Sequence, residues 1–560
     1  MSFAGCAGPA LPHMAQPTRR FHTFAEFRDH VLSTYLSYYP TFASTLGLHQ
    51  YDALIEDYSA SRREHYLGEL RQAKEILERD FGEESPDKTC RFECRALMWK
   101  LNDEIFRLTE LRDFEWNPMV YNEQLELTHL LDREFAPISE RMLAVLLRLR
   151  AYPRVLAVAR QNLSTHIDRT IVETGLMALE GRLEFLDCLP TKYFSQLSNP
   201  TLVQDLSEAM QTAKLAISSF MEAIRSVVLP RSMYDSFRLG PELLQKFIQS
   251  SELVEESLDE LLRKGRSEMD RMTVDLYKKC AELDANMSVH DVFHTFVESD
   301  HFGEHTIIGE MENMLERIRQ YIVQHGLIEM PSEVRCKVEE TPAHMRWAFA
   351  AMNSPGAFEQ VATEAIYYIT LPEASWDEEK RKEFLHGLNR SVLEIVSIHE
   401  AYPGHYTHFL HLQNVKSKVG KCFWSYAFLE GWAHYTEEML IEAGWGNGDP
   451  RIHIAYLQEA LIRLCRYVAS IELHTGKMTL SEVQHLFEEK ALLRPIAARK
   501  EAERGVFDPG YLFYTLGKIQ IRELRARLEK EPDFSLYDFH NEFLSYGTAP
   551  VKIIADMMEA

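Results

Sequence analysis

The chain has 560 residues, of which 46% are hydrophobic and 26% charged, as in a typical globular protein. Its formal net charge of −24 argues against a nucleic-acid partner and against binding to an anionic membrane surface. Only 25 glycines and 22 prolines interrupt long stretches rich in Leu, Glu, Ala and Arg, which favours an all-α protein.

The eight cysteines are scattered along the chain, and Cys90 and Cys94 are four residues apart, unlike the Cys-x-x-Cys of redox and zinc-ribbon sites. We interpret them as reduced, mostly buried thiols, which predicts a cytoplasmic protein. No apolar run approaches the roughly 18 residues that span a bilayer. Residues 3–6 resemble a lipoprotein cleavage site, but the basic and apolar regions of a signal peptide are missing, so the likeness counts only if the chain was truncated.

Residues 1–20 lack any periodicity and predict a flexible tail. From Phe24 to about Ile328 the pattern is mostly that of amphipathic helices, and no repeat period indicates a solenoid. Breaks that contain proline, at 152–153, 189–200 and 229–241, separate the helices. The clearest helical segments are residues 62–81, 90–111, 139–165, 168–186, 201–228 and 251–283.

The second half of the chain contains the best predicted strand, residues 365–372, which is β-branched and aromatic and ends in proline. A capping box at 375–378 predicts a helix that ends near residue 387. Asn389 is the predicted cap of the next helix, which extends to about residue 411 and is buried on its apolar face. A further helix is predicted over residues 423–443.

Residues 398–405 read Ile-His-Glu-Ala-Tyr-Pro-Gly-His, and Glu430 opens Glu-Gly-Trp-Ala-His-Tyr-Thr-Glu on the next predicted helix. His399, His405 and Glu430 would make a three-ligand Zn²⁺ site with a fourth position for water. Glu400 follows the first histidine directly, where zinc peptidases keep the base that deprotonates this water.

The two histidines are not spaced as in the familiar His-Glu-x-x-His helix, because Pro403 stands at i+4 and His405 at i+6. Six residues turn a regular helix by about 600°, which leaves the two imidazoles about 120° apart. Pro403 has no N–H for the carbonyl of His399, and Gly404 permits unusual backbone angles. We therefore expect a bulge with two extra residues inside a helix that continues to residue 411.

The residues alone leave alternatives open. His405 could be a core histidine, with His408 or no residue as the second ligand, and Glu430 could pair with His434 one turn later. Residues 301–305 spell His-x-x-Glu-His, an inverted zinc motif with better spacing. However, Ser299 and Asp300 look like helix caps, which would put this motif in a first, fraying turn, and no suitable glutamate follows it.

Tyr511 and Tyr514 lie in Pro-Gly-Tyr-Leu-Phe-Tyr-Thr-Leu-Gly at 509–517. A phenol aimed at the carbonyl oxygen of a scissile amide stabilises the negative charge that forms there in the transition state. Alternatively, the two rings pack in the core and their hydroxyls have only structural partners.

Three motifs in this order, at 399–405, 430–437 and 509–517, resemble those of the domain-of-unknown-function 885 family. The opening segment 39–52 also looks like that family, so the resemblance covers nearly the whole chain. More distantly, the arrangement is similar to the carboxypeptidase Taq and neurolysin-like zinc peptidases, the helical gluzincins.

The resemblance implies a role for each motif residue. It implies His399, His405 and Glu430 as metal ligands, Glu400 as the base, Tyr511 or Tyr514 as the oxyanion donor, and Glu437 as a residue that orients a ligand imidazole. Arg466 and His474 match a family pattern of Arg, Asp and His, and are candidate substrate-binding residues. Ser470 stands where that pattern has Asp, which puts an ion-pair role there in doubt.

We expect an all-α, two-lobed protein with a deep central cleft and a small β-sheet beside the catalytic helices. Residues 21–330 would form one lobe, and residues 331–560 would carry the metal site. The expected function is zinc-dependent hydrolysis of short peptides, with strand 365–372 as the edge strand that pairs with extended substrate. A hydrolase of a non-peptide amide or ester remains an alternative. So does an inactive peptide-binding protein, although such a protein has no need of Glu400. The sequence does not indicate an oligomeric state.

Overall fold

The computed structural model describes residues 20–82, 87–342, 350–373 and 375–560. The predicted tail lies outside the described residues except for Arg20, and so do Cys6 and the lipoprotein-like segment around it. The described part of the chain is helical apart from one small three-stranded sheet, which confirms the predicted fold class.

The helices of the first part of the chain precede the sheet. They are α1 Phe24–Tyr38, α2 Pro40–Thr45, α3 Ala60–Asp80, α4 Lys88–Phe106, α5 Asp113–Trp116, α6 Met119–Gln124, α7 Thr128–Asp132, α8 Ile138–Asn162, α9 Arg169–Lys192, α10 Pro200–Ala223, α11 Gly240–Glu252, α12 Leu258–Leu283, α13 Val289–Val292 and α14 Ile307–His325.

The sheet and the remaining helices follow. The strands are β1 Lys337–Glu340, β2 Ala350–Asn353 and β3 Ile366–Ile369. The helices are α15 Glu378–Gly387, α16 Arg390–Glu400, α17 His405–Asn414, α18 Lys418–Cys422, α19 Tyr426–Glu442, α20 Pro450–His474, α21 Leu480–Lys490, α22 Pro495–Phe507, α23 Phe513–Leu528, α24 Leu536–Ser545 and α25 Val551–Met558.

Several helix boundaries differ from the predicted ones for local reasons. Pro153 and Pro190 lie inside α8 and α9, so these prolines do not end a helix. The predicted segment 251–283 is split, because Ser257 begins α12 with its own capping box. The capping box predicted at 375–378 is wrong, since the side chain of Asp377 caps α15 instead.

The predicted strand corresponds to β3, but its place in the sheet differs from the expected one. The strand order is β1-β3-β2, with β1 parallel and β2 antiparallel to β3. Its middle position leaves β3 no free edge for a substrate, so the predicted edge role is wrong. The expected location is confirmed, because the hydroxyl groups of Tyr367 and Ser397 lie 3.3 Å apart and connect β3 to α16.

Close helix packing positions the elements of the second half of the chain. Gly517 on α23 faces α19, and a Cβ atom at this position would lie 1.8 Å from the carbonyl oxygen of Ala427. Only glycine therefore allows the two backbones to approach so closely. A cavity of about 240 Å³ is lined by residues of both predicted lobes, among them Trp116, Phe247 and Tyr426. The division into lobes at residue 330 stays a prediction.

The seven cysteines within the described ranges are all free thiols, as expected for reduced residues. Among the helices of these ranges, none is both long and apolar enough to cross a membrane.

Candidate metal centre

The helix that carries His399 ends one residue later, and His405 begins the next helix. Asn389 caps α16 through a hydrogen bond from the N–H of Val392, as predicted. After Glu400 the chain leaves the helix, passes through a cis Tyr402–Pro403 peptide bond and re-enters helix at His405. The expected bulge within one continuous helix is therefore wrong, since Pro403 separates α16 from α17.

Gly404 makes this tight connection possible. Its N–H donates to the carbonyl of Ile398, which brings its Cα against the end of α16. A Cβ atom at this position would lie 1.8 Å from the carbonyl oxygen of His399, so no other residue fits. Trp432 on α19 donates its indole N–H to the carbonyl of Pro403 over 3.0 Å and fixes the connection against α19.

The break brings His399 and His405 together, with their ring centroids 4.9 Å apart and nearly perpendicular. Oε2 of Glu430 lies 3.4 Å from Nε2 of His399 and 3.5 Å from Nε2 of His405. Zinc ligands at about 2.1 Å in tetrahedral geometry lie about 3.4 Å from one another. The donor atoms and their spacing therefore fit one zinc ion.

The structure supports neither the pairing of Glu430 with His434 nor His408 as a second ligand. Glu430 points to the two histidines and not to His434, which hydrogen-bonds to Glu437 instead. His408 is fully buried and does not belong to the cluster of donor atoms.

Glu437 connects the cluster to buried groups behind it. Its Oε1 lies 2.7 Å from Nδ1 of His399, and its Oε2 lies 3.1 Å from Nδ1 of His434. Arg463 on α20 lies 3.3 Å from the same carboxylate. A carboxylate on the second nitrogen of a ligand histidine fixes its tautomer and its ring orientation.

The charges of the site favour a cation. Burial alone would lower the pKa of His399, but hydrogen bonds with Glu430 and Glu437 outweigh this and raise the pKa to about 9. Burial likewise opposes ionisation of Glu430, yet the hydrogen bonds with His399 and His405 hold its pKa below the usual range. The two carboxylates that favour a proton on His399 equally favour a metal cation beside it.

Glu400 lies between the metal ligands and the sheet. Its Oε2 accepts a hydrogen bond of 3.1 Å from the backbone N–H of Met352 in β2. Edge strand β2 is thereby joined to the residue predicted as the base. The sequence analysis missed this strand, because its four residues, Ala350–Asn353, show no alternating pattern.

Tyr514 lies beside the cluster, whereas the hydroxyl of Tyr511 lies against Gly505 on α22. The ring of Tyr514 stacks on that of His399 at 6.4 Å, and it meets the ring of Tyr426 edge to face at 5.6 Å. Tyr511 is fully buried, and its hydroxyl packs so closely on Gly505 that a Cβ atom there would lie 2.2 Å away. Of the two tyrosines, only Tyr514 therefore has its ring against a predicted ligand.

Arg466 and His474 have structural partners. Arg466 makes two hydrogen bonds of 2.7 Å to Glu501, and its guanidinium lies 5.3 Å from the ring centre of Tyr514. Glu501 thus supplies the carboxylate that Ser470 lacks. His474 is buried and hydrogen-bonded to the carbonyl of Gly505, and burial lowers its pKa to about 4. Their predicted role in substrate binding stays a prediction.

The inverted motif at 301–305 does not lie on a helix. His301 forms an isolated bridge with Asn389, Glu304 pairs with Arg381, and α14 begins only at Ile307.

The sequence analysis also missed Arg463 and Tyr426. Arg463 lies three residues before Arg466 on α20, and no motif in the sequence distinguished it as a partner of Glu437.

The fold and the cluster define a class: a helical protein in which two histidines and a glutamate, on the helices α16, α17 and α19, converge as candidate metal ligands. The chain belongs to the family described as "Bacterial protein of unknown function (DUF885)", whose model matches residues 40–558. The predicted family is thereby confirmed.

Two solved structures share the fold of this chain. One, from Shewanella oneidensis, is described as a "putative lipoprotein of unknown function"; it is 23% identical, with 96% of this chain and 100% of that chain covered at a TM-score of 0.81. The other, a "putative lipoprotein" from Colwellia psychrerythraea, is 17% identical, with 95% and 98% covered at a TM-score of 0.77. At these identities the likeness shows the fold alone, and the cytoplasmic location stays a prediction.

An M32 carboxypeptidase from Deinococcus radiodurans R1 aligns over 96% of this chain and 95% of its own length, at 11% identity and a TM-score of 0.42. A score of this size carries no argument about function. None of the curated proteins compared with this chain matches it.

Proposed function

We propose that the protein is a zinc-dependent hydrolase that cleaves short peptides. The observation that carries this proposal is the convergence of His399, His405 and Glu430, with Glu430 Oε2 within 3.5 Å of both imidazoles. Zinc bound to these three residues would act as a Lewis acid on the scissile carbonyl and acidify a water molecule.

The neighbouring residues have the chemistry that amide hydrolysis requires. Glu400 follows a ligand directly and would take the proton from the attacking water, then return it to the leaving amine. The Met352 N–H fixes this carboxylate beside the cluster. Tyr514, stacked on His399, would donate its hydroxyl proton to the oxyanion in a hydrogen bond.

A peptide fits the site better than a compact small amide because of the strand beside it. Among the residues that the structure describes, β2 is paired with β3 on one side only, so its second edge has backbone groups that an extended peptide can use. The cavity of about 240 Å³ next to Tyr426 would receive a side chain of such a peptide.

The experiment is a hydrolysis screen with purified, zinc-loaded protein against a mixed-sequence peptide library and a panel of small amides and esters, with products identified by mass spectrometry. We expect cleavage of short peptides, and a loss of about 10²–10⁴-fold or more in the Glu400→Gln variant with its zinc content unchanged. Cleavage of non-peptide substrates alone would redirect the proposal to another hydrolase class. Full turnover by Glu400→Gln would refute the assignment of the base.

A further inference from the structure

A second cluster of metal-ligand side chains lies apart from the first. His49, Asp52 and His129 each have one donor atom within 4.8 Å of the other two. His49 and Asp52 belong to the opening segment 39–52, which contributes nothing to the first cluster, and His129 lies on α7. Two imidazoles and a carboxylate are the same donor set as in the first cluster.

Both nitrogens of His49 face carboxylates. Its Nδ1 lies 3.1 Å from Oδ2 of Asp52, and its Nε2 lies 3.0 Å from Oε2 of Glu359. Glu359 is buried, and its other oxygen accepts hydrogen bonds from the N–H groups of Val361 and Ala362. A ligand histidine typically donates its second N–H to such a fixed carboxylate, as His399 does to Glu437.

The other two side chains are arranged for an additional partner. One carboxylate oxygen of Asp52 accepts the hydroxyl proton of Ser44, which leaves Oδ2 for the cluster. Nε2 of His129 is buried and has no hydrogen-bond partner among the residues that the structure describes. A buried nitrogen without a partner costs about 1–3 kcal/mol, which a bound ion would offset.

The surroundings hold the two imidazoles parallel, and the nearby guanidinium groups donate to oxygen atoms other than the carboxylates of Asp52 and Glu359. Phe135 stacks on His49 at 3.9 Å, and the planes of His49 and His129 differ by 12°. Arg133 and Arg148 lie nearby, but their guanidinium groups donate to backbone carbonyls and to the side chain of Asn353. In the described part of the chain, neither arginine forms a salt bridge with Asp52 or Glu359.

We propose that His49, Asp52 and His129 bind a second zinc ion, with Glu359 orienting the imidazole of His49. Two histidines and one carboxylate suit zinc with water as the fourth ligand. The ion would fasten the segment after α2 to α7 and, through Glu359, to the chain between β2 and β3. Its role would therefore be structural, and it is independent of the hydrolase activity proposed above.

The test is the zinc content per chain of full-length protein that has been loaded with zinc chloride and desalted, measured by inductively coupled plasma mass spectrometry. We expect two zinc ions in the unchanged protein and one each in His399→Gln and His129→Gln. The double variant should bind none. The matched control His485→Gln removes an imidazole that is 74% exposed, and it should keep both ions.

A second readout separates the two sites. Added zinc should raise the melting temperature of His399→Gln, in which only the new site remains, and this increase should vanish in the double variant. Because His399→Gln leaves the second cluster intact, the result does not depend on whether His129→Gln folds. No zinc in His399→Gln, or equal zinc content in His399→Gln and the double variant, would overturn the proposal, whereas one zinc ion in the unchanged protein that persists in His399→Gln would count against the first site only.

Discussion

The imidazole of His399 is held at both nitrogens by carboxylates of the same helix. Glu437 Oε1 lies 2.7 Å from Nδ1, and Glu430 Oε2 lies 3.4 Å from Nε2. The two glutamates are seven residues apart on α19, about two helical turns, and therefore share one face. Because Glu437 fixes the ring from behind, Nε2 of His399 always points towards Glu430 and His405.

Glu437→Gln should weaken zinc binding by about 10–100-fold, because the amide fixes the tautomer and orientation of His399 less well than the carboxylate does. Competition with a chromophoric chelator measures this affinity. Arg463 keeps its second partner, Glu459, so the fold should survive the change. The control is Glu442→Gln on the same helix, whose carboxylate is 44% exposed and binds Arg525. Equal zinc affinity in the two variants would contradict the role of Glu437.

Gly404→Ala should abolish the cluster. The new methyl group would overlap the carbonyl oxygen of His399, so the connection between α16 and α17 must open and move His405 away from Glu430. We expect loss of tight zinc binding and a drop of about 2–4 kcal/mol in the free energy of unfolding. Denaturant titration and zinc analysis on the same sample measure both.

The matched control for this change is Gly68→Ala. Gly68 lies in α3, and a Cβ atom there would meet nothing within 4 Å. The alanine should raise the stability by about 0.4–1 kcal/mol, since it favours helix and restricts the unfolded chain. If both alanine variants bind zinc as tightly as the parent, the tight connection at Gly404 is not what positions His405.

The candidate ligands could be predicted from the sequence, but their geometry could not. The spacing of His399 and His405 indicates that the helix cannot be regular between them. Pro403 has no N–H to donate to the carbonyl of His399, so the next helical hydrogen bond cannot form. A single chain does not reveal whether a helix bulges or breaks at a proline, since this depends on a tertiary contact. Here the contact is the indole N–H of Trp432 on the carbonyl of Pro403.

The dependence on tertiary contacts also explains why the position of β3 in the sheet was predicted wrongly and why β2 was missed. β3 was recognised because Ile366–Ile369 is aromatic and β-branched, but its neighbours in the sheet are set by contacts that the segment itself does not encode. β2 has a weak pattern and becomes a strand through its pairing with β3. The roles of Tyr511 and Tyr514 also depended on packing, because only the position of Gly505 shows which hydroxyl is enclosed.

The contribution of Glu252 to the free energy of unfolding should fall as the pH rises from about 4.5 to about 7. This buried carboxyl group accepts hydrogen bonds from Ser425 and from the N–H of Ala427 at the start of α19. Burial raises its pKa from 4.5 to about 7. A raised carboxyl pKa favours folding below about pH 4.5, and this contribution is lost as pH rises towards 7; it corresponds to roughly 3 kcal/mol.

Glu252→Gln removes this titration and keeps the shape of the side chain. The difference in free energy of unfolding between the variant and the parent should therefore shift in favour of the variant between pH 5 and pH 8. Denaturant titrations of both proteins at several pH values measure it. A difference that stays constant over this range would show that Glu252 is already ionised at low pH in the folded state.

Tyr514→Phe should lower kcat for peptide hydrolysis by about 10²–10³-fold with little change in KM, because it removes only a hydrogen-bond donor used in the transition state. Tyr511→Phe should leave kcat unchanged, since the hydroxyl of Tyr511 is enclosed against Gly505. It should also preserve or slightly raise stability, because this hydroxyl has no hydrogen-bond partner in the part of the chain that the structure describes. Steady-state kinetics with one cleaved peptide compares the two variants. A collapse of kcat in Tyr511→Phe alone would reverse the assignment, and unchanged rates in both would make the tyrosines packing residues.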